Sequence, residues 1–273
     1  MTFRTMPPQP QDTWSVGPIT LSSRFLIGSA GYPSPRHLSE AIEASGSQIV
    51  TVGLKRTLAA AGDNGFMTQI MHTLKKQGAH LLPNTAGCRS ARDAIQLAHM
   101  ARELYGTHWI KLEVVGDEHT LQPDPFELVL AAEHLVRDGF TVFPYCTEDL
   151  ITCRRLLDAG CALLMPWGAP IGSGQGLLNP FALRTLRERL PDSVLIIDAG
   201  IGAPSHAAQA MEMGFDAVLL NSAVAHAQNP VCMAGAFCQA IEAGRSAFLA
   251  GMMAPQDFAV ASTPVGGQPF MVT

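Results

Sequence analysis

The sequence predicts an α/β fold, a single-domain (β/α)8 or TIM barrel, from two repeating observations. The first is a series of eight short apolar runs, each followed by a polar or glycine-rich turn and, in most cases, by a stretch with helical periodicity. A closed barrel of this type needs eight parallel strands, whereas an open doubly wound sheet usually has fewer. The runs begin at Phe25, Gln48, His80, Trp109, Thr141, Ala162, Val194 and Ala217.

The second observation is a glycine shortly before several of these runs, where the preceding helix should end. A glycine in the left-handed conformation stops a helix and lets the chain turn back into a parallel strand. The glycines in this position are Gly46, Gly78, Gly139, Gly160 and Gly214. No run is left over for a second domain. We therefore predict a flexible N-terminal arm over 1–18, the barrel over 19–250 and a C-terminal covering segment over 251–273.

Composition argues against several classes of function. A formal net charge of -5 over 273 residues disfavours binding to nucleic acid or to an anionic membrane. The first residues do not read as a signal peptide and the apolar runs are only strand-length, so we expect a cytoplasmic protein without a transmembrane segment.

The six cysteines have no CxxC spacing, which favours buried thiols. We expect no metal, since the ligand-type residues of Asp117–His119 have no second cluster to complete them, and we predict no cofactor.

One lysine lies inside a predicted strand, WIKLEV. Side chains of a strand alternate between its two faces. Ile110, Leu112 and Val114 share one face, and Trp109, Lys111 and Glu113 share the other. Because the apolar face should pack under the helices, Lys111 and Glu113 are predicted to point into the barrel.

Lys111 in this position suggests imine chemistry. A lysine removed from water loses part of its preference for the charged form, and its neutral amine attacks carbonyl carbons. Glu113 and Asp198, which closes the strand VLIID, are candidate acid/base groups. A buried ion pair without chemistry is the alternative for Lys111 and Glu113, and a loop cap is the alternative for Asp198. Lys55 also ends a strand, where it either closes the rim, holds an anion or replaces Lys111 as the imine lysine.

Three glycine-rich turns follow the late strands and predict a phosphate site. Their backbone N–H groups are suited to bind an anion, and barrels of this type commonly build the phosphate site from the loops after the last strands. Tight turns alone would also require glycine. The candidate residues are Gly172, Gly200, Gly202, Asn221 and Ser222.

Long segments of the chain resemble the thiazole synthase family of thiamine biosynthesis. The resemblance runs from about Ser22 to Gly267 and includes ASGSQIVTVGLKR, LLPNTAGC, WIKLEV, LLMPWGAPIGSGQGL, DAGIGAPSHAAQAMEMG and DAVLLNSAVA. It implies that Lys111 forms a Schiff base with 1-deoxy-D-xylulose 5-phosphate and that Glu113 and Asp198 act as acid/base groups. The implied phosphate and sugar contacts are Gly172, Ala199, Gly200, Asn221 and Ser222.

The resemblance also implies the other participants. The keto-sugar phosphate would condense with dehydroglycine and with sulfur from a small carrier protein that ends in a Gly-Gly thiocarboxylate, giving a thiazole phosphate carboxylate. A homo-oligomer is implied as well. The chain departs from the family in three places: it reads GSAGY from Gly28 where GTGKY is usual, so a loop cation is missing; Trp167 replaces a leucine; and Ser222 replaces a threonine.

Two other functions remain compatible with the same residues. A class I aldolase-like lyase would use the same lysine but no sulfur donor. A barrel without catalytic activity would bind a phosphorylated ligand or scaffold a partner, and its lysine would form no imine.

Overall fold

Eight parallel strands form a closed barrel in the computed structural model, which describes residues 12–55, 64–260 and 262. A short antiparallel hairpin of β1 (Trp14–Val16) and β2 (Ile19–Leu21) precedes the barrel. The barrel strands are β3 (Phe25–Gly28), β4 (Ile49–Gly53), β5 (His80–Asn84), β6 (Trp109–Leu112), β7 (Thr141–Cys146), β8 (Leu163–Pro166), β9 (Val194–Asp198) and β10 (Ala217–Leu220). They pair in chain order, and β10 closes the barrel by pairing with β3. The predicted (β/α)8 fold is confirmed.

Helices follow the strands and pack around the barrel. The described helices are α1 (Pro35–Ser45), α2 (Asn64–Gln77), α3 (Ala91–Tyr105), α4 (Pro125–Arg137), α5 (Leu150–Asp158), α6 (Pro180–Arg189), α7 (Pro204–Glu212), the short α8 (Ser222–Ala225) and α9 (Pro230–Ala250). The five glycines predicted to end helices all have positive φ. Gly46 illustrates the reason: at φ 60° it is the left-handed cap of α1 and donates its N–H to Glu43 O.

Two hydrophobic cores follow from the alternation of strand side chains. One lies between the strands and the helices and contains Ile110, Leu112 and Val114, as the alternation in WIKLEV predicts. The other fills the barrel interior, where Trp109 and Phe143 pack together, and Trp14 of the hairpin belongs to it. The hairpin and the first residues of the strands therefore close the N-terminal end of the barrel, and polar side chains are left for the carboxyl end.

Most of the predicted arm and covering segment lies outside the described residues, which omit 1–11, 261 and 263–273. The proposed division into arm, barrel and covering segment stays a prediction. Within the described ranges, the helices are all too short or too polar to cross a membrane.

Candidate active site

A cavity of about 700 Å³ opens at the carboxyl ends of the barrel strands. Catalytic groups of (β/α)8 enzymes sit at this end because the loops that follow the strands converge there. All eight predicted site residues line the cavity: Lys111, Glu113, Asp198, Gly172, Ala199, Gly200, Asn221 and Ser222. The structure thus brings together residues from four different strands and their loops, while the roles assigned to them stay predictions.

The Lys111 side chain lies between two carboxylates. Its Nζ is 2.7 Å from Asp198 Oδ2 and 3.1 Å from Glu113 Oε1, and all three residues are at most 5% exposed. Lys111 comes from β6 and Asp198 ends β9, three strands away around the barrel, so the two side chains meet across its interior. The result is a buried ionic cluster of one amine and two acids.

The charges of this cluster set its protonation. Burial acts to lower the pKa of Lys111, but Asp198 and Glu113 outweigh burial and raise the pKa above its ordinary value. Burial therefore has the lowering effect that the sequence predicts, but the two carboxylates exceed it in the resting site. Burial also raises the pKa of Asp198 to about 6, against the opposing effect of Lys111. The proton rests on the amine, with two carboxylates in position to receive it.

The loop after β5 holds the backbone of Glu113. Thr85 and Glu113 exchange two hydrogen bonds: Thr85 Oγ1 donates to Glu113 O, and Glu113 N donates to Thr85 Oγ1, both at 2.8 Å. Thr85 N also donates to Lys111 O at 3.1 Å. Because Thr85 is fully buried, these bonds are shielded from water. The NTAGC segment thus aligns the backbone of both charged residues.

Close backbone packing builds the wall formed by the loops after β8 and β9. A Cβ at Gly200, where φ is 79°, would lie 2.3 Å from Ala169 N, so only glycine fits. Gly176 N donates to Gly200 O at 2.7 Å, which joins the two loops. Gly172 lies on the same wall, and a Cβ built on it would be 3.9 Å from Ser222 Oγ.

Asn221 connects this wall to β3. Its Nδ2 donates to Ala30 O at 2.9 Å, while its Oδ1 is buried and has no hydrogen-bond partner among the described residues. A Cβ at Gly28 would lie 2.5 Å from Asn221 Cβ, so the glycine makes room for this side chain. The free acceptor of Asn221 is available to a hydroxyl group of a ligand.

Sequence reasoning missed three residues near the cluster. Tyr145 is 1% exposed, its ring centroid lies 5.6 Å from Lys111 Nζ, and its hydroxyl group has no partner among the described residues. Its strand position predicts only that it faces inward. Thr85 lies in the NTAGC segment, and nothing else in the sequence indicates its contact with Glu113. The exposed His226 lines the cavity, and its Nε2 lies 3.2 Å from where a Cβ on Gly31 would be, beside the position of the missing loop cation.

Lys55 also lines the cavity, at the end of β4. Its side chain is exposed, and Nζ donates to Gly87 O at 2.7 Å. No carboxylate of the described residues lies within ion-pair distance of Lys55. Its place at the rim agrees with the reading in which it closes the rim or holds an anion.

Potential metal ligands lie elsewhere. Asp117 accepts hydrogen bonds from His119 N and Thr120 N and so shapes its own loop. Among the described residues, the one group with suitable ligand spacing is His99 on α3, His134 on α4 and Asp138 directly after α4. Arg102, which has only donor groups, lies 2.9 Å from His99 Nδ1, so this cluster is a hydrogen-bonded link between helices.

The fold and the site together define a (β/α)8 barrel whose mouth contains a buried lysine clamped by two acids. Residues 15–264 match the family described as "Thiazole biosynthesis protein ThiG". A thiazole synthase of Coxiella burnetii is 58% identical over 259 residues, which cover 95% of this chain and 98% of that one. A thiazole synthase of Nitrobacter hamburgensis is 59% identical over 249 residues, 91% of this chain and 95% of that one.

The chain belongs to the thiazole synthase family, whose members act in thiamine biosynthesis. A solved structure, titled as the Amycolatopsis orientalis BexX/CysO complex, is also similar. It is 30% identical with a TM-score of 0.79, and the match covers 90% of this chain and 98% of that chain.

Proposed function

We propose that this enzyme condenses 1-deoxy-D-xylulose 5-phosphate, dehydroglycine and sulfur from a carrier-protein thiocarboxylate into thiazole phosphate carboxylate, through a Schiff base on Lys111. The proposal rests above all on the position of Lys111 Nζ, in the interior of the barrel mouth and within 3.1 Å of two carboxylates. Family membership supports thiazole formation as the outcome.

Imine formation requires the Lys111 ammonium to lose a proton first. Asp198 Oδ2 and Glu113 Oε1 are the acceptors in reach. The neutral amine then adds to the ketone carbon, and the carbonyl oxygen leaves as water after it takes up protons from the two acids. The iminium product carries the positive charge that the ammonium carried. The same carboxylates that raise the pKa of Lys111 therefore stabilise the iminium ion.

The iminium ion acidifies the neighbouring carbon–hydrogen bonds, and a carboxylate removes one of these protons to give an enamine. Glu113 and Asp198 both lie within 3.1 Å of Nζ, so two carboxylates are available for this proton transfer. Proton transfer by a positioned carboxylate contributes about 10²- to 10⁴-fold to such steps.

The phosphate of the sugar would lie on the wall of Gly172, Ala199, Gly200 and Ser222. Glycine-lined turns leave backbone N–H groups accessible to anions, and in barrels of this type the late loops commonly bind phosphate. Asn221 Oδ1, a buried acceptor without a described partner, would accept a hydrogen bond from a sugar hydroxyl group. The distance from this wall to Lys111 would then fix which carbon meets the amine.

A carrier protein as sulfur donor is supported by the BexX/CysO structure, in which a relative of this chain is complexed with a second protein. We further propose a homo-oligomer located in the cytoplasm. No cofactor and no metal enter the proposed reaction, since the imine supplies the electron sink.

The proposed reaction differs from that of a lyase in what it requires. With all three inputs, mass spectrometry should detect the thiazole phosphate carboxylate, and omission of the thiocarboxylate should abolish it. The keto-sugar phosphate alone should undergo no carbon–carbon cleavage. Cleavage products from the sugar alone, without a thiazole product from the full mixture, would establish the lyase instead.

A further inference from the structure

We propose that Lys55 binds the carboxylate or thiocarboxylate end of the reactant that joins the lysine-bound sugar. This inference rests on the proposed function, because it assigns a second subsite within the same cavity. Both remaining inputs carry such an anion: dehydroglycine has a carboxylate, and the carrier tail ends in a thiocarboxylate. The shared chemistry is a small carboxylate-type anion that enters from the open mouth.

The charges lining the cavity single out Lys55. Lys111 is matched by two carboxylates at 2.7 and 3.1 Å, so the cluster carries no positive charge in excess. Within the described part of the chain, Lys55 is the other lysine that lines the cavity, and it forms no ion pair there. An anion that approaches the mouth is therefore attracted to Lys55 and repelled by the carboxylates beside Lys111.

The barrel places Lys55 opposite the Gly172 loop, which is the part of the proposed phosphate wall that follows β8. It follows β4, and β4 lies four strands from β8 in either direction around the closed barrel. Lys111 stands on β6, two strands from each of them. A sugar phosphate that extends from the loop after β8 to Lys111 leaves the β4 side of the cavity free. The second reactant would reach the imine from that side.

Local contacts hold the Lys55 ammonium at the rim. Nζ donates to Gly87 O at 2.7 Å, and a Cβ on Gly87 would be 3.8 Å from Lys55 Cδ, so the side chain lies along the loop after β5. An ammonium group has three N–H donors, and the exposed group can therefore bind a further acceptor. Thr51 and Asn84 line the same side of the cavity.

The test compares Lys55→Gln with Lys55→Arg and with Lys75→Gln, which removes the same charge from an exposed position on α2. Steady-state rates are measured while each of the three inputs is varied in turn. Borohydride trapping with the sugar phosphate alone reports on the first half-reaction. Loss of a charged hydrogen bond should raise one KM by about tenfold.

We expect Lys55→Gln to raise the KM for dehydroglycine or for the carrier thiocarboxylate, and whichever changes identifies the anion. Lys55→Arg should stay within about threefold of wild type because it keeps the charge, and Lys75→Gln should match wild type. An unchanged KM for both anions, or a rise confined to the sugar phosphate, overturns the inference. A wild-type enzyme that cannot be trapped overturns the proposed function instead.

Discussion

Asp198 Oδ2 lies 2.7 Å from Lys111 Nζ, and apart from this ion pair it has no partner among the described residues. The carboxylate is almost completely buried, at 2% exposure. Its position makes it the nearest proton acceptor for the amine, and its pKa of about 6 makes that capacity depend on pH near neutrality.

The pH–rate profile of imine formation should therefore have an acidic limb that Asp198 controls. Below pH 6 the buried carboxyl group is protonated and cannot accept the Lys111 proton, so the trapping rate should fall about tenfold per pH unit. Single-turnover borohydride trapping across about pH 5 to 7 measures this limb.

In Asp198→Asn the acidic limb of the pH–rate profile should disappear. The plateau trapping rate should be lower than that of wild type by at least about 100-fold. The amide cannot take up a proton, and the pKa of Lys111 should fall because one of its two negative partners is gone. A wild-type profile that is flat across the range would contradict the role of Asp198.

Thr85→Val should destabilise the protein and slow trapping. Valine has a similar shape but leaves the buried Glu113 N–H and carbonyl groups without their partner, which costs about 1–3 kcal/mol in the free energy of unfolding. Denaturant titration measures the loss. Thr73→Val, at another buried threonine whose hydroxyl group bonds within α2 and to Ser39, is the control and should leave trapping unchanged.

Gly200→Ala should displace the loops that form the proposed phosphate wall. The new Cβ would meet Ala169 N at 2.3 Å, in addition to the strain of a positive φ. The KM for the sugar phosphate should rise by at least about tenfold. Gly46→Ala is the control for the backbone strain alone, because no atom lies within 4 Å of its Cβ position. It should lower the free energy of unfolding by only about 1–2 kcal/mol and leave the KM for the sugar phosphate unchanged. Equal KM values for the sugar phosphate in the two variants would contradict the proposal that these loops bind its phosphate.

Tyr145→Phe should leave the free energy of unfolding unchanged or raise it. The hydroxyl group is buried without a described partner, so its removal takes away a desolvated polar atom while the ring near Lys111 remains. Chemical denaturation gives the difference. A loss of more than about 1 kcal/mol would mean that the hydroxyl group has a stabilising partner in solution.

The sequence predicted the barrel because its signals are local: each strand is an apolar run and several helices end in glycine. It also predicted the inward face of Lys111 from alternation within one strand. The raised pKa of Lys111 was not predicted, because it depends on Asp198, which reaches the amine only when β6 and β9 face each other across the closed barrel.

Other features of the site depend on contacts between loops that are distant in sequence. Thr85 reaches Glu113 from the loop after β5, and Asn221 reaches Ala30 from the opposite end of the chain. Neither contact has a periodicity or a spacing that a single sequence displays. Tyr145 is similar, since an inward-facing tyrosine in a strand usually indicates packing.

Borohydride reduction in the presence of 1-deoxy-D-xylulose 5-phosphate, followed by peptide mapping, tests the central claim most directly. The account predicts a covalent adduct on the peptide that contains Lys111, absent in Lys111→Arg, which keeps the positive charge but has no primary amine. A folded wild-type protein whose mass does not change, or an adduct located on Lys55, would contradict it.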